Sequence, residues 1–118
     1  MSFNLHDRKI IWNKFGKRCA YCRKKLLYKQ MQVDHIIPKK WKRRGYLNLD
    51  RMDNLNPSCA HCNLYKRSRD LKGFRKLMST LHLRFEAHFI NQVGVDFGMV
   101  GIIPFDGKFH FEKYLNKK

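Results

Sequence analysis

Apolar side chains recur at alternating three- and four-residue steps through Leu71, Phe74, Met78, Leu81, Phe85 and Phe89. That spacing keeps them on one helical face and predicts a long amphipathic helix over 70–92, with Ser68 a candidate cap. Core packing is the ordinary use of such a stripe, and a homodimer seam is the alternative. A first helix is expected over 5–15. Asn4 offers its N-cap, Leu5, Ile11, Trp12 and Phe15 its apolar contacts, and Gly16 its stop. Residues 23–30 are basic around Leu26 and Leu27 and read as a short strand or turn. Residues 31–37 are rich in β-formers and alternate around Val33, which predicts a strand that Pro38 ends. Residues 49–55 read as a short helical turn or loop. Ser58 follows Pro57 and suits the N-cap of a helix running to Lys66 or Arg67. Further on, 100–105 and 108–111 flank Asp106-Gly107, a C-terminal β-hairpin signal, with Pro104 marking an edge. The fold class is therefore α+β. With no repeat and no low-complexity linker, 1–118 reads as one domain.

Charge narrows the choice of partner. The 118 residues carry 26 Lys+Arg against 9 Asp+Glu, a formal net charge of +17. Such an excess strains a compact fold by self-repulsion unless a polyanion neutralises it, so nucleic acid is the expected partner. A solvated surface, a ribosomal protein or a membrane-surface protein are the competing uses of that charge. Hydrophobic residues at 43% and aromatics at 14% are globular composition rather than disorder. No apolar run approaches a membrane span, and residues 1–15 lack the apolar region of a signal peptide. A cytoplasmic, reducing location is expected, with reduced cysteines.

The cysteines change the picture most. They form two knuckles, Cys19-Ala20-Tyr21-Cys22 and Cys59-Ala60-His61-Cys62, with 36 residues between them. Two residues between cysteines let both thiolates reach one ion, and two such pairs complete a closed zinc tetrahedron. A closed site leaves no position for substrate, so this Zn²⁺ is expected to be structural. A redox use of Cys-x-x-Cys is disfavoured by the second pair and the lack of a thioredoxin-like pattern. Inside the loop between the knuckles lies Asp34-His35, and Asn63 follows Cys62 directly. Phosphodiester hydrolysis needs an activated water and an electrophile for the departing oxygen. A neutral imidazole can take the water's proton. A hard cation, Mg²⁺ or Mn²⁺, held by carboxylate and amide oxygens can stabilise the leaving group. His35 suits the first task, and Asp34 with Asn63 the second.

Together these residues resemble the HNH endonucleases. The resemblance rests on Cys19-x-x-Cys22, Val33-Asp34-His35-Ile36-Ile37-Pro38, Asn54-Leu55, Cys59-x-x-Cys62-Asn63 and Lys66, spanning about 19–67. It implies a ββα-metal core stapled by a four-cysteine zinc site, with about 68–118 as an extension. Residue by residue, it implies that His35 is the general base and that Asn54 fixes the intervening loop and helps orient that histidine. Asp34 and the last motif residue would hold the catalytic Mg²⁺ or Mn²⁺. That last position is Asn63 rather than histidine, a variant that favours a hard ion over zinc. Asn56 is the rival for the middle position. The implied substrate is DNA, cut to 5′-phosphate and 3′-hydroxyl ends. Lys39, Lys40, Lys42, Arg43 and Arg44 after the base, and Lys66, Arg67 and Arg69 after Asn63, are candidate phosphate contacts. Trp41 and Tyr46 are candidates for stacking on a base or for packing. A small, very basic nuclease is compatible with a phage or mobile-element origin. The alternative from another class is a non-catalytic zinc-knuckle module that binds nucleic acid.

Overall fold

A computed structural model describes residues 4–116. The described residues divide into two compact units, 4–71 with 109–116, and 72–108. The first unit holds both knuckles and the only sheet among the described residues. Helix α1 spans Leu5–Asn13 and is capped by Asn4, whose side chain accepts from the Asp7 amide. Gly16 then turns the chain with φ +73. Ile11 and Phe15 are buried, and the Trp12 indole donates to the Leu26 carbonyl at 2.9 Å. Lys14 reaches the carbonyls of Met52 and Leu55 at 3.1 and 2.7 Å, which fastens α1 to the sheet.

Strands β1, Gln32–His35, and β2, Leu55–Ser58, pair antiparallel, with Asp34 opposite Asn56 and His35 opposite Leu55. All of β2 is buried. The Pro57 carbonyl accepts from the Ala20 amide at 2.9 Å, which ties β2 to the first knuckle. A short 3₁₀ turn, Met52–Asn54, leads into β2. Helix α2, Ala60–Lys66, comes directly after the strand. Its N-cap is Cys59 rather than Ser58. The Cys59 sulfur accepts from the Cys62 amide at 3.3 Å, and Ser58 remains in the strand.

The expected C-terminal hairpin is absent, and 100–105 forms no ladder. Gly107 takes φ +90, and Asp106 Oδ1 accepts from the Lys108 amide at 3.0 Å, so the turn signal is real. Beyond this turn the chain enters helix α6, His110–Asn116, not a strand. Glu112 closes its start by accepting from the Phe109 amide at 2.8 Å. The apparent alternation of Phe109 and Phe111 instead reflects docking on the first knuckle. Phe109 and Phe111 lie 5.3 and 6.1 Å from the Tyr21 ring, and the amides of His110 and Phe111 bond to the Tyr21 and Ala20 carbonyls.

In the second unit the single long helix is broken into α3, Leu71–Ser79, α4, Leu81–Glu86, and α5, Phe89–Asp96. Ser79 and Thr80 hydroxyls bond back to the carbonyls of Lys76 and Leu77 at 2.7 and 3.3 Å, competing with the helix ladder. His88 is extended, with ψ 127, and starts the third helix. Of the predicted stripe only Phe74 is buried, while Phe85 and Phe89 are exposed. The stripe therefore does not lie along one continuous helix. After α5 the chain doubles back at Gly98, and Val100 packs on Gly94, where a Cβ would stand 3.2 Å from Val100 Cγ2.

Candidate active site

The knuckles meet. The sulfurs of Cys19, Cys22, Cys59 and Cys62 all lie within 4.8 Å of one another. Cys22 and Cys59 Sγ are 3.8 Å apart. A tetrahedral Zn–S bond of about 2.3 Å puts sulfurs about 3.8 Å apart, so the donor set and spacing fit zinc. Backbone amides of Tyr21 and Cys62 point at the Cys19 and Cys59 sulfurs, at 3.5 and 3.3 Å. Unneutralised, four thiolates this close repel. Bonds from Cys22 and Cys62 hold the Cys19 thiol low, while the bond to Cys19 pushes Cys22 up to about 11. Cys62 is pushed up by its bonds to Cys19 and Cys22. A bound cation removes that conflict.

His35 ends β1, and its Nε2 lies 2.8 Å from Asp50 Oδ1. Asn54 organises the loop between them. Its Oδ1 accepts from the Ile37 amide at 2.8 Å, and its Nδ2 donates to the carbonyls of Ile37 and Leu49 at 3.1 and 2.8 Å. The Ile36 amide bonds to the Asn54 carbonyl at 2.9 Å. Asn56, the rival, is buried in β2 and donates weakly to the Tyr21 hydroxyl at 3.5 Å.

Asp34 points into the core, opposite in sense to its neighbour His35, as strand geometry requires. It is 4% exposed. The Tyr21 hydroxyl donates to its Oδ2, and Lys66 Nζ lies 3.3 Å from Oδ1. Lys66 also donates to the His35 carbonyl at 2.9 Å. Burial raises the Asp34 carboxyl and the proximity of Lys66 opposes that rise. Burial lowers the Lys66 ammonium and Asp34 opposes that fall. Burial and the Asp34 charge together push the Tyr21 phenol well up. Lys66 has 0% exposure, so its assignment as a phosphate contact is corrected: no surface ligand can reach it. Asn63 lies on α2 and donates to Gln32 Oε1 at 2.7 Å. Asp34 and Asn63 are thus engaged by different partners.

The remaining basic candidates are exposed. Lys39, Lys40, Lys42, Arg43 and Arg44 form a 3₁₀ helix, Lys39–Arg44, that ends at Gly45 with φ +94. Arg67 and Arg69 are also exposed. The Arg44 guanidinium lies 4.2 Å from the Trp41 ring centroid, and the Trp41 indole donates to the Ser68 carbonyl at 3.2 Å. Tyr46 packs 5.6 Å from Trp41. Both aromatics therefore have intramolecular neighbours. Lys39, Lys42, Tyr46, Asn48, Asp50 and Arg51 line an open cleft of about 670 Å³.

Asp50, Tyr21 and Gln32 were not legible as site residues. Asp50 sits in a loop that carries no motif, and bonds from Asn54 to Ile37 and Leu49 help hold that loop beside His35. Tyr21 carried one available signal, a hydroxyl-bearing aromatic inside a knuckle.

Comparison with known proteins agrees with this geometry. Residues 19–69 match the family model described as HNH endonuclease. A solved structure, that of the Type II-C Cas9 enzyme from Actinomyces naeslundii, matches with TM-score 0.52 and 26% identity. The match covers 64% of this chain, and this chain spans only 8% of that one. A search of curated proteins finds no match. Among the described residues no helix is long and apolar enough to cross a membrane. The stretch that matches the HNH endonuclease family model, residues 19–69, thus holds the paired knuckles, the two strands and α2.

Proposed function

We propose that this protein is a metal-dependent endonuclease that hydrolyses DNA phosphodiester bonds. The observation that carries the proposal is His35, placed at a strand end beside the Asn54-pinned loop and bonded to Asp50, which lines a basic cleft. His35 takes a proton from water, and the water oxygen attacks phosphorus in line with the departing 3′ oxygen. Asn54 holds the loop beside the imidazole. Lys39, Lys40, Lys42, Arg43, Arg44, Arg67 and Arg69 supply phosphate contacts, which makes binding steeply salt-dependent. The structural ion is Zn²⁺ on the four cysteines.

The catalytic ion is Mg²⁺ or Mn²⁺, which supplies positive charge to the phosphate and leaving oxygen when bound. The Asp34 carboxylate and the Asn63 amide oxygen are its chemically suitable donors. In this structure Lys66 and Tyr21 occupy the two Asp34 oxygens, and Asn63 is bonded to Gln32, so these donors would have to be freed to hold such a cation. That closed pair is the one observation favouring a second reading, a non-catalytic zinc module that binds nucleic acid.

Incubation with supercoiled plasmid separates the two. The nuclease reading expects nicked circles with Mg²⁺ or Mn²⁺ and none with a chelator gentle enough to leave zinc in place. Retarded but uncut plasmid at every metal concentration supports the binding module instead.

A further inference from the structure

We infer that Asp50 is a positioning residue for His35. This role rests on the reading of His35 as general base, and it falls to a residue that no motif marks. The contact is non-local and specific: Nε2 of His35 lies 2.8 Å from Asp50 Oδ1 across 15 residues of sequence. The His35 side chain is 11% exposed and that of Asp50 49%.

The backbone under Asp50 is held. Leu49, just before it, is buried, and its carbonyl accepts from Asn54 Nδ2 at 2.8 Å. On the other side the Arg51 amide bonds to the Asn48 carbonyl at 3.3 Å. A carboxylate among Lys39, Lys42 and Arg51 has cations near at hand, yet it bonds to the imidazole. The Arg51 guanidinium is turned to Asp53, 2.6 Å away.

Charge argues in the same direction. A carboxylate lining a basic cleft repels a polyanion, so a binding role does not explain it. Facing an imidazole, it has a clear use. A carboxylate that only accepts must be met by Nε2–H, and in the neutral ring the lone pair then sits on Nδ1. Asp50 thereby sets the tautomer and orientation of the ring. The same logic operates where a buried aspartate orients a catalytic histidine in hydrolases. Asn54 serves this arrangement at one remove, by fixing the loop that delivers Asp50.

The test reads His35 twice in zinc-loaded protein. Nitrogen-15 NMR of the imidazole is expected to show the proton on Nε2 in wild type and a shift toward mixed tautomers in Asp50→Ala. Single-turnover plasmid nicking, at protein concentrations that saturate the DNA, is expected to fall at least about tenfold in Asp50→Ala. Affinity for the plasmid should be unchanged or slightly tighter, and Asp50→Glu should recover part of both signals. An unchanged tautomer with an unchanged rate overturns the inference. So does a lower melting temperature with the tautomer unchanged, since that marks a merely structural contact. If wild type nicks nothing but the tautomer still shifts in Asp50→Ala, the positioning contact stands and the reading of His35 as base fails.

Discussion

Cys59→Ser is expected to release the structural zinc and unfold the first unit. Cys59 joins β2 to α2, and its sulfur belongs to the cluster of four. Serine is itself a good N-cap, so the local start of α2 survives the change and the loss falls on the metal. Structural zinc contributes about 10–16 kcal/mol of apparent binding free energy in small sites, whereas a whole domain is stable by about 5–15 kcal/mol. Losing one thiolate therefore removes a quantity comparable to the entire stability. Metal content and thermal melting of the purified variant check this. Wild-type zinc content with wild-type melting contradicts the four-thiolate assignment.

Lys66→Met is expected to destabilise the protein by about 3–5 kcal/mol in denaturant unfolding, because it strands a buried carboxylate. Lys66 has 0% exposure and Asp34 has 4%, so neither charge has water to fall back on. Methionine fills most of the lysine stem's volume, which confines the loss to the charge and its two bonds, to Asp34 and to the His35 carbonyl. Adding Asp34→Asn removes the uncompensated charge, and the double variant should regain most of the loss. A single variant within about 1 kcal/mol of wild type means that the pair is not a buried ion pair in solution. The pair also ties stability to the proposed chemistry, since the same carboxylate is the proposed donor to the catalytic cation.

Local signals read well where one residue's chemistry sets the structure. Asn4 caps α1 and α2 ends at Lys66, each by interactions within a few residues, although α1 stops at Asn13, before Gly16. The paired Cys-x-x-Cys spacing identified the cluster because metal ligation is itself a spacing rule. Failures came where competing local bonds or distant contacts decide. Residues 70–92 satisfy a helical period throughout, yet hydroxyls at Ser79 and Thr80 and an extended His88 divide the segment. Phe109 and Phe111 alternate like a strand, but their partners are the knuckle's Tyr21 and its carbonyls, nearly ninety positions earlier. Lys66 looked like a surface cation because its neighbours Arg67 and Arg69 are. Only the three-dimensional position of Asp34 shows why this lysine is inside. Asp50 is the same case in reverse, a loop acid whose role exists only once the loop folds beside His35.

The central claim is that His35 performs chemistry on a phosphodiester bond, and plasmid nicking by His35→Ala tests it most directly. Removing a general base costs about 10²–10⁴ in rate. With zinc content, melting temperature and plasmid affinity matched to wild type, His35→Ala in Mg²⁺ or Mn²⁺ is expected to lose nicking by at least about a hundredfold. Nicking at the wild-type rate by that variant contradicts the account.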